Sequence, residues 1–101
     1  MKVKLVPSGP IRYFEDIVVD RFPFLLGRHP ECDHQVYHPL VSRRHCQLIE
    51  ADGRLVVRDL QSKNGTFVNG NRLTDAGVLF DGDEINLGCL IYRVCLSPSI
   101  N

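Results

Sequence analysis

The chain has 101 residues, 44% hydrophobic and 24% charged, the composition of one globular domain with enough apolar mass for a single core. Lys plus Arg and Asp plus Glu stand at 12 each, so no overall basic field is available for sequence-independent nucleic-acid binding. The longest apolar runs fall far short of the roughly twenty residues that span a bilayer, and the N-terminus lacks the continuous apolar stretch of a secretory signal; the expected setting is cytoplasmic, away from membranes.

In chain order, Lys2 to Val6 alternates charge with hydrophobe and predicts a first strand, ended by the turn Pro7-Ser8-Gly9-Pro10. Ile11 to Phe14 and Ile17 to Val19 are two further short apolar pieces, split by Glu15-Asp16. Phe22-Pro23-Phe24-Leu25-Leu26 runs into Gly27-Arg28, and Pro23 points to an edge strand or to the first residue of a strand. Residues 29–40 are irregular and read as a loop, with Val36 alone hinting at a short strand. Cys46 to Glu50 and Arg54 to Asp59 flank Asp52-Gly53, which tolerates the positive φ angles of a tight reversal and predicts a hairpin. Thr66-Phe67-Val68 and Arg72-Leu73 flank Asn69-Gly70 in the same way. Asp81-Gly82-Asp83 turns into Glu84 to Leu87, and Gly88 leads to a last strand, Leu90 to Leu96. Nowhere do apolar residues keep a helical period for long. Short strands with turn signals about every eight to twelve residues predict an all-β sandwich or barrel.

Cys32, Cys46, Cys89 and Cys95 read as buried reduced thiols, because three of the four lie in or beside hydrophobic segments and the core needs no staples. His29, Cys32, His34 and His38 fall close together and raise the question of a metal. Their spacing fits no compact zinc pattern and nothing pairs with them downstream, so they are read as loop histidines and no metal or other cofactor is expected.

Two polar stretches remain, Ser42-Arg43-Arg44-His45 and Ser62-Lys63-Asn64-Gly65-Thr66. With Arg28 they offer hydroxyl, guanidinium, ammonium and amide donors at the ends of predicted strands. A phosphate monoester carries about −1.5 to −2 charges and three strong acceptor oxygens. The planar fork of Arg donates two parallel hydrogen bonds to such a group, and Ser adds a short one. On composition alone the commoner explanation is ordinary solvated loop residues. Ser42 with His45 also has the form of a nucleophile and its base, although no third group orients the histidine.

Taken together and in order, Gly27-Arg28, Ser42-Arg43-Arg44-His45, the run from Asp59 to Gly70 and the run from Gly82 to Gly88 resemble the forkhead-associated (FHA) domain. The likeness covers roughly residues 24–96. It implies an eleven-stranded β-sandwich of two antiparallel sheets, over residues 1–96 with 97–101 as a short tail. It also implies a non-catalytic module that recognises phosphothreonine in partner proteins through loops at one end. Carried over by position, Arg28, Ser42, Arg43 and Lys63 become phosphate contacts, and Asn64 holds the peptide main chain. Gly27, His45 and Gly65 become supports of the site, with His45 bracing loops in place of acting as a base. The chain departs from the family at His34, usually aliphatic, and at Cys46, frequently Ala. Tyr37-His38-Pro39-Leu40 is idiosyncratic and bears on ligand sequence preference. The alternatives are an FHA-fold domain that binds partners independently of phosphate, and a small hydrolase using Ser42 and His45. Oligomeric state, the identity of the partner and the roles of His29, His34 and His38 stay open at this level.

Overall fold

The Asp52-Gly53 reversal is where sequence and local geometry agree most directly. In the computed structural model, which describes residues 1–11 and 14–97, both residues take positive φ, 52° and 73°. They join β5 (Cys46–Ala51) to β6 (Arg54–Asp59) in register from Ala51↔Arg54 to Cys46↔Asp59. Period-two burial follows from that register: Cys46, Leu48, Leu55 and Val57 point inward and are buried, while Gln47, Ile49, Val56 and Arg58 face outward.

Eleven strands are found among the described residues, in two sheets. The six-stranded sheet has the order β2 (Ile17–Val19), β1 (Lys2–Pro7), β11 (Leu90–Ser97), β10 (Glu84–Leu87), β7 (Thr66–Val68), β8 (Asn71–Arg72). The five-stranded sheet has the order β4 (His34–Gln35), β3 (Phe24–Gly27), β5, β6, β9 (Ala76–Leu79). Between them lies one apolar layer that includes Leu5, Ile17, Leu26, Leu48, Val57, Leu87 and Val94, all fully buried. Each such side chain contributes about 1.5–3 kcal/mol by leaving water. This is the expected β-sandwich.

Several details differ from the sequence reading. β9 was not anticipated; Ala76 and Gly77 carry little strand propensity, and only its pairing with β6 fixes it. β4 occupies His34–Gln35 and stops one residue before Val36, which is buried and donates its amide to the Gly27 carbonyl (2.7 Å). β4 runs parallel to β3, so the sheets are antiparallel everywhere except at this two-residue ladder. The Asp33 carboxylate sets up that return by accepting the Leu25 amide at 2.7 Å. Pro23 immediately precedes β3, which has neighbours on both sides, so it marks a strand start and not an edge. Leu73 lies beyond β8, and the apolar piece Ile11 to Phe14 includes residues 12 and 13, outside the described residues. β11 runs through Ser97, and residues 98–101 of the expected tail also lie outside them. All four cysteines are free of disulfides; Cys32 and Cys46 are buried as expected, whereas Cys95 is half-buried and Cys89, in the turn between β10 and β11, is exposed.

The topology gathers three connections at one end. β3 leaves the sheet at Gly27 beside the start of β5 (Leu26↔Cys46), and β6 leaves at Asp59 opposite that same start (Cys46↔Asp59). The segments that follow β3, precede β5 and follow β6 must therefore share a rim. The β10–β11 turn joins them, with the Gly88 amide donating to the Gly65 carbonyl at 3.1 Å.

Candidate functional site

The first two loops are locked by main-chain hydrogen bonds. Arg28 N donates to the Ser42 carbonyl and His29 N to the Arg43 carbonyl, each at 3.0 Å. The Cys32 thiol donates to the same Arg43 oxygen at 3.2 Å. Such an approach requires a glycine at 27: a Cβ there would lie 2.1 Å from the Arg43 oxygen.

His45 ties the second loop to the third. Its Nδ1 accepts the Ser42 amide at 3.0 Å, so Nε2 carries the proton and donates to the Gly65 carbonyl at 2.9 Å. The residue is fully buried, and burial lowers its pKa against the opposing pull of the Gly65 carbonyl and Asp59. The imidazole is therefore held neutral. Both ring nitrogens are engaged with the main chain, which leaves neither to take a proton from the Ser42 hydroxyl. This geometry removes the base from the hydrolase reading and gives His45 its bracing role.

The third loop has its own clasp, which the sequence reading missed. Asp59 Oδ1 accepts the hydroxyls of Ser62 (2.5 Å) and Thr66 (2.7 Å), and Oδ2 accepts the Ser62 amide (3.2 Å). Burial pushes the Asp59 pKa up, but the Ser62 and Thr66 hydrogen bonds and nearby His45 outweigh it and hold the carboxyl below its ordinary range. An Asp three residues before a Ser is the local signal for such a turn. Gly65, at φ 90°, turns the chain out of it.

On this frame, Arg28, Pro39, Leu40, Val41, Ser42, Lys63 and Asn64 line a recess of about 170 Å³. Arg28 Nε donates to the Val41 carbonyl at 3.0 Å, which aims the guanidinium and leaves its two terminal nitrogens available. Ser42 Oγ accepts the Lys63 amide at 3.0 Å and keeps its own proton to donate. Asn64 Nδ2 donates to the Leu40 carbonyl at 2.9 Å, leaving its Oδ1 and second amide proton for a ligand main chain. Four of the five anticipated ligand contacts thus meet in one recess. Arg43 is the exception: its side chain is exposed and does not line it. Arg44 is paired with Glu31 at 3.3 Å. A larger recess of about 450 Å³, at the end of the sandwich holding the Gly53 turn, is lined by Met1, Arg54 and a mainly apolar wall of Leu55, Val78, Leu79, Phe80 and Leu96, without the converging hydroxyl and amide donors of the smaller one.

The neighbouring histidines have local partners. Nδ1 of His29 accepts the Glu31 amide, and Nδ1 of His38 accepts the Leu40 amide. Half-buried His34 lies 3.9 Å from Glu15; burial lowers its pKa and Glu15 opposes the shift. Among the described residues no three His, Cys, Asp or Glu side chains gather at metal-binding distance.

Comparison with known proteins places these features in context. Residues 24–88 match the FHA domain. Over 86 residues the chain is 38% identical to the oxoglutarate dehydrogenase inhibitor of Corynebacterium diphtheriae, covering 85% of this chain and 57% of that protein. Over 86 residues it is 42% identical to the glycogen accumulation regulator GarA of Mycolicibacterium smegmatis, covering 85% and 51%. The chain thus spans about half the length of these curated relatives. Among solved structures, one from a structural and functional analysis of phosphothreonine-dependent FHA domain interactions superposes with a TM-score of 0.86 at 26% identity, over 98% of this chain and all of the other.

Proposed function

We propose that this chain, which belongs to the FHA domain family, is a non-catalytic cytoplasmic module that binds phosphothreonine-containing proteins, with residues 1–96 as the binding unit. The supporting observation is the convergence of Arg28, Ser42, Lys63 and Asn64, from three separate connections, on one recess. Arg28 and Ser42 take the phosphate oxygens and Lys63 adds a point charge, while Asn64 holds the peptide main chain extended across the rim. The comparisons support this reading through a solved relative described by phosphothreonine-dependent interactions and through relatives named as an inhibitor and a regulator. Hydrogen bonds to charged groups contribute about 1.5–3 kcal/mol each. Three or four of them, less the cost of immobilising a flexible peptide, give affinity near the micromolar level, about −8 kcal/mol.

The test is an amide-shift titration with a phosphothreonine peptide and its unphosphorylated twin. We expect saturable shifts at Ser42, Lys63 and Asn64 with the phosphorylated peptide alone. Equal shifts with both peptides, or shifts confined to the sheet faces, would transfer the function to a phosphate-independent surface.

A further inference from the structure

A separate recess, of about 420 Å³, is lined by Phe14, Glu15, His34, Gln35 and Tyr37. The β1–β2 connection supplies the first two, β4 the next two, and Tyr37 lies in the connection to β5. Its chemistry is the inverse of the phosphate recess, with one carboxylate, two aromatic rings and neither lysine nor arginine in its lining. Among the described residues the ion-pair partner of Glu15 is His34 alone, at 3.9 Å, and burial keeps that imidazole neutral at neutral pH. Lys4, on neighbouring β1, is taken by Asp16 at 3.4 Å. Tyr37 is 73% exposed, so a large ring stands in water next to an uncompensated carboxylate. The two recesses adjoin. Gln35 Nε2 donates to the Arg28 carbonyl at 2.9 Å, and in the chain only His38 separates Tyr37 from Pro39 of the phosphate recess. His38 touches both sides: its ring lies 6.2 Å from that of Phe14, and its Nδ1 accepts the Leu40 amide at 3.1 Å.

We propose that this recess is a cation subsite, taking a lysine or arginine side chain of the bound peptide near the phosphothreonine. This rests on the phosphothreonine reading above and narrows it to partners that carry a basic residue close to the phosphorylated one. Glu15 supplies the countercharge, and the rings of Phe14 and Tyr37 supply π faces, the negative side of the ring quadrupole. Arginine suits the recess best, since its plane stacks on a ring while its edge donates two parallel hydrogen bonds to a carboxylate. The subsite shares no lining side chain with the phosphate recess, so it selects among phosphopeptides without altering the grip on phosphate. An exposed ion pair is worth about a two- to fivefold gain in affinity, and a cation over an exposed ring about as much again. The ion-pair part of the gain falls as salt rises.

The experiment titrates the wild-type chain and Glu15→Gln with phosphothreonine peptides, read by calorimetry and by amide shifts. One peptide has neutral flanks; the others carry a single arginine at successive positions before the phosphothreonine or after it. We expect at least one arginine peptide to bind the wild type about threefold or more tightly than the neutral one. That peptide should add shifts at His34, Gln35 and Tyr37 to the shifts at Ser42 and Asn64 that every phosphopeptide produces. Glu15 is exposed, so its isosteric replacement leaves the fold intact. Glu15→Gln should erase the arginine increment while binding the neutral peptide within about twofold of wild type. The proposal is overturned if no arginine peptide is preferred while the neutral phosphopeptide still binds. It is equally overturned if the preference survives in Glu15→Gln, which would place recognition of the cation elsewhere. Absence of shifts at Ser42 and Asn64 with every peptide would instead remove the phosphothreonine reading itself, and the subsite with it.

Discussion

His45 Nε2 sits 2.9 Å from the carbonyl oxygen of Gly65, across 20 residues of sequence, and on that contact the alignment of two ligand loops depends. Replacing His45 with Ala removes a fully buried side chain with its bonds to the Gly65 carbonyl and the Ser42 amide. We expect a loss of about 2–4 kcal/mol in denaturant unfolding, as one buried donor and one acceptor lose their partners and a cavity opens. A variant as stable as wild type would show that the loops are held by other means.

The same imidazole gives a direction to acid destabilisation. Its folded pKa lies below the ordinary value of 6.5, so the folded state refuses a proton that the unfolded chain accepts. Its stabilising contribution is complete above that ordinary value and is lost as pH falls toward the folded pKa. His34, also lowered, acts with the same sign over the same window. Asp59 acts lower, since its stability is present above 3.8 and lost as pH falls through its depressed folded value. Unfolding midpoints should therefore decline on acidification below about pH 6.5, before ordinary carboxylates titrate. His45→Asn should flatten that first decline, and an unchanged slope in the variant would contradict it.

Gly27→Ala tests the loop junction from the other side. The added methyl would meet the Arg43 carbonyl at 2.1 Å, and main chain cannot swing aside as a flexible side chain can. We expect a destabilisation of about 1–3 kcal/mol or more, measured by thermal unfolding. Phosphopeptide affinity should weaken as well, because Arg28 and Ser42 are bonded to each other through this junction.

Arg28→Ala should leave the fold intact and weaken phosphothreonine-peptide binding by about 2–5 kcal/mol, the range for truncating one half of a close charge pair. Arg28→Lys should recover only part of this, since an ammonium cannot bond the Val41 carbonyl and offer a bidentate fork together. Calorimetry giving an unchanged dissociation constant for the folded Ala variant would remove Arg28 from the site.

The choice between phosphorylated residues is a matter of one methyl group. Burying it is worth about 0.8 kcal/mol, near fourfold in favour of phosphothreonine over phosphoserine. A glutamate in place of the phosphoresidue should bind poorly, with less charge and one oxygen fewer. Matched titrations of the three peptides decide this, and equal affinities would argue against an oxyanion recess.

What the sequence made legible was whatever is encoded locally. Asp52-Gly53 and Asn69-Gly70 announce their hairpins because positive φ is written in residue type, and both pairs adopt it. Strand alternation in β5, β6, β10 and β11 is equally local. β9 was invisible because Ala76 and Gly77 have no preference of their own and are ordered by β6. The parallel turn of β4 was hidden for the same reason, being set by the Asp33 carboxylate and the Leu25 amide. At the site, residue types marked Arg28, Ser42, Lys63 and Asn64. The Asp59 clasp is local as well, closed by Ser62 and Thr66 a few residues on, whereas the bonds of Arg28 N to the Ser42 carbonyl and of His45 Nε2 to the Gly65 carbonyl join residues distant in sequence, and those no local pattern contains.

The pairing of β1 with β11 carries a kinetic consequence. Lys2↔Ser97 and the five pairs that follow join segments separated by nearly the whole described chain, and β2 is hydrogen-bonded to the sheet only through β1. Such a ladder cannot form until the last strand has been made and the intervening chain has closed on itself, a step of high entropic cost. During synthesis β1 and β2, able to pair only with each other, must wait for β11 while the five-stranded sheet assembles behind them. Refolding should accordingly be slow for a domain of this size, in the millisecond-to-second range, with the β1–β11 seam the last part to acquire protection against amide exchange.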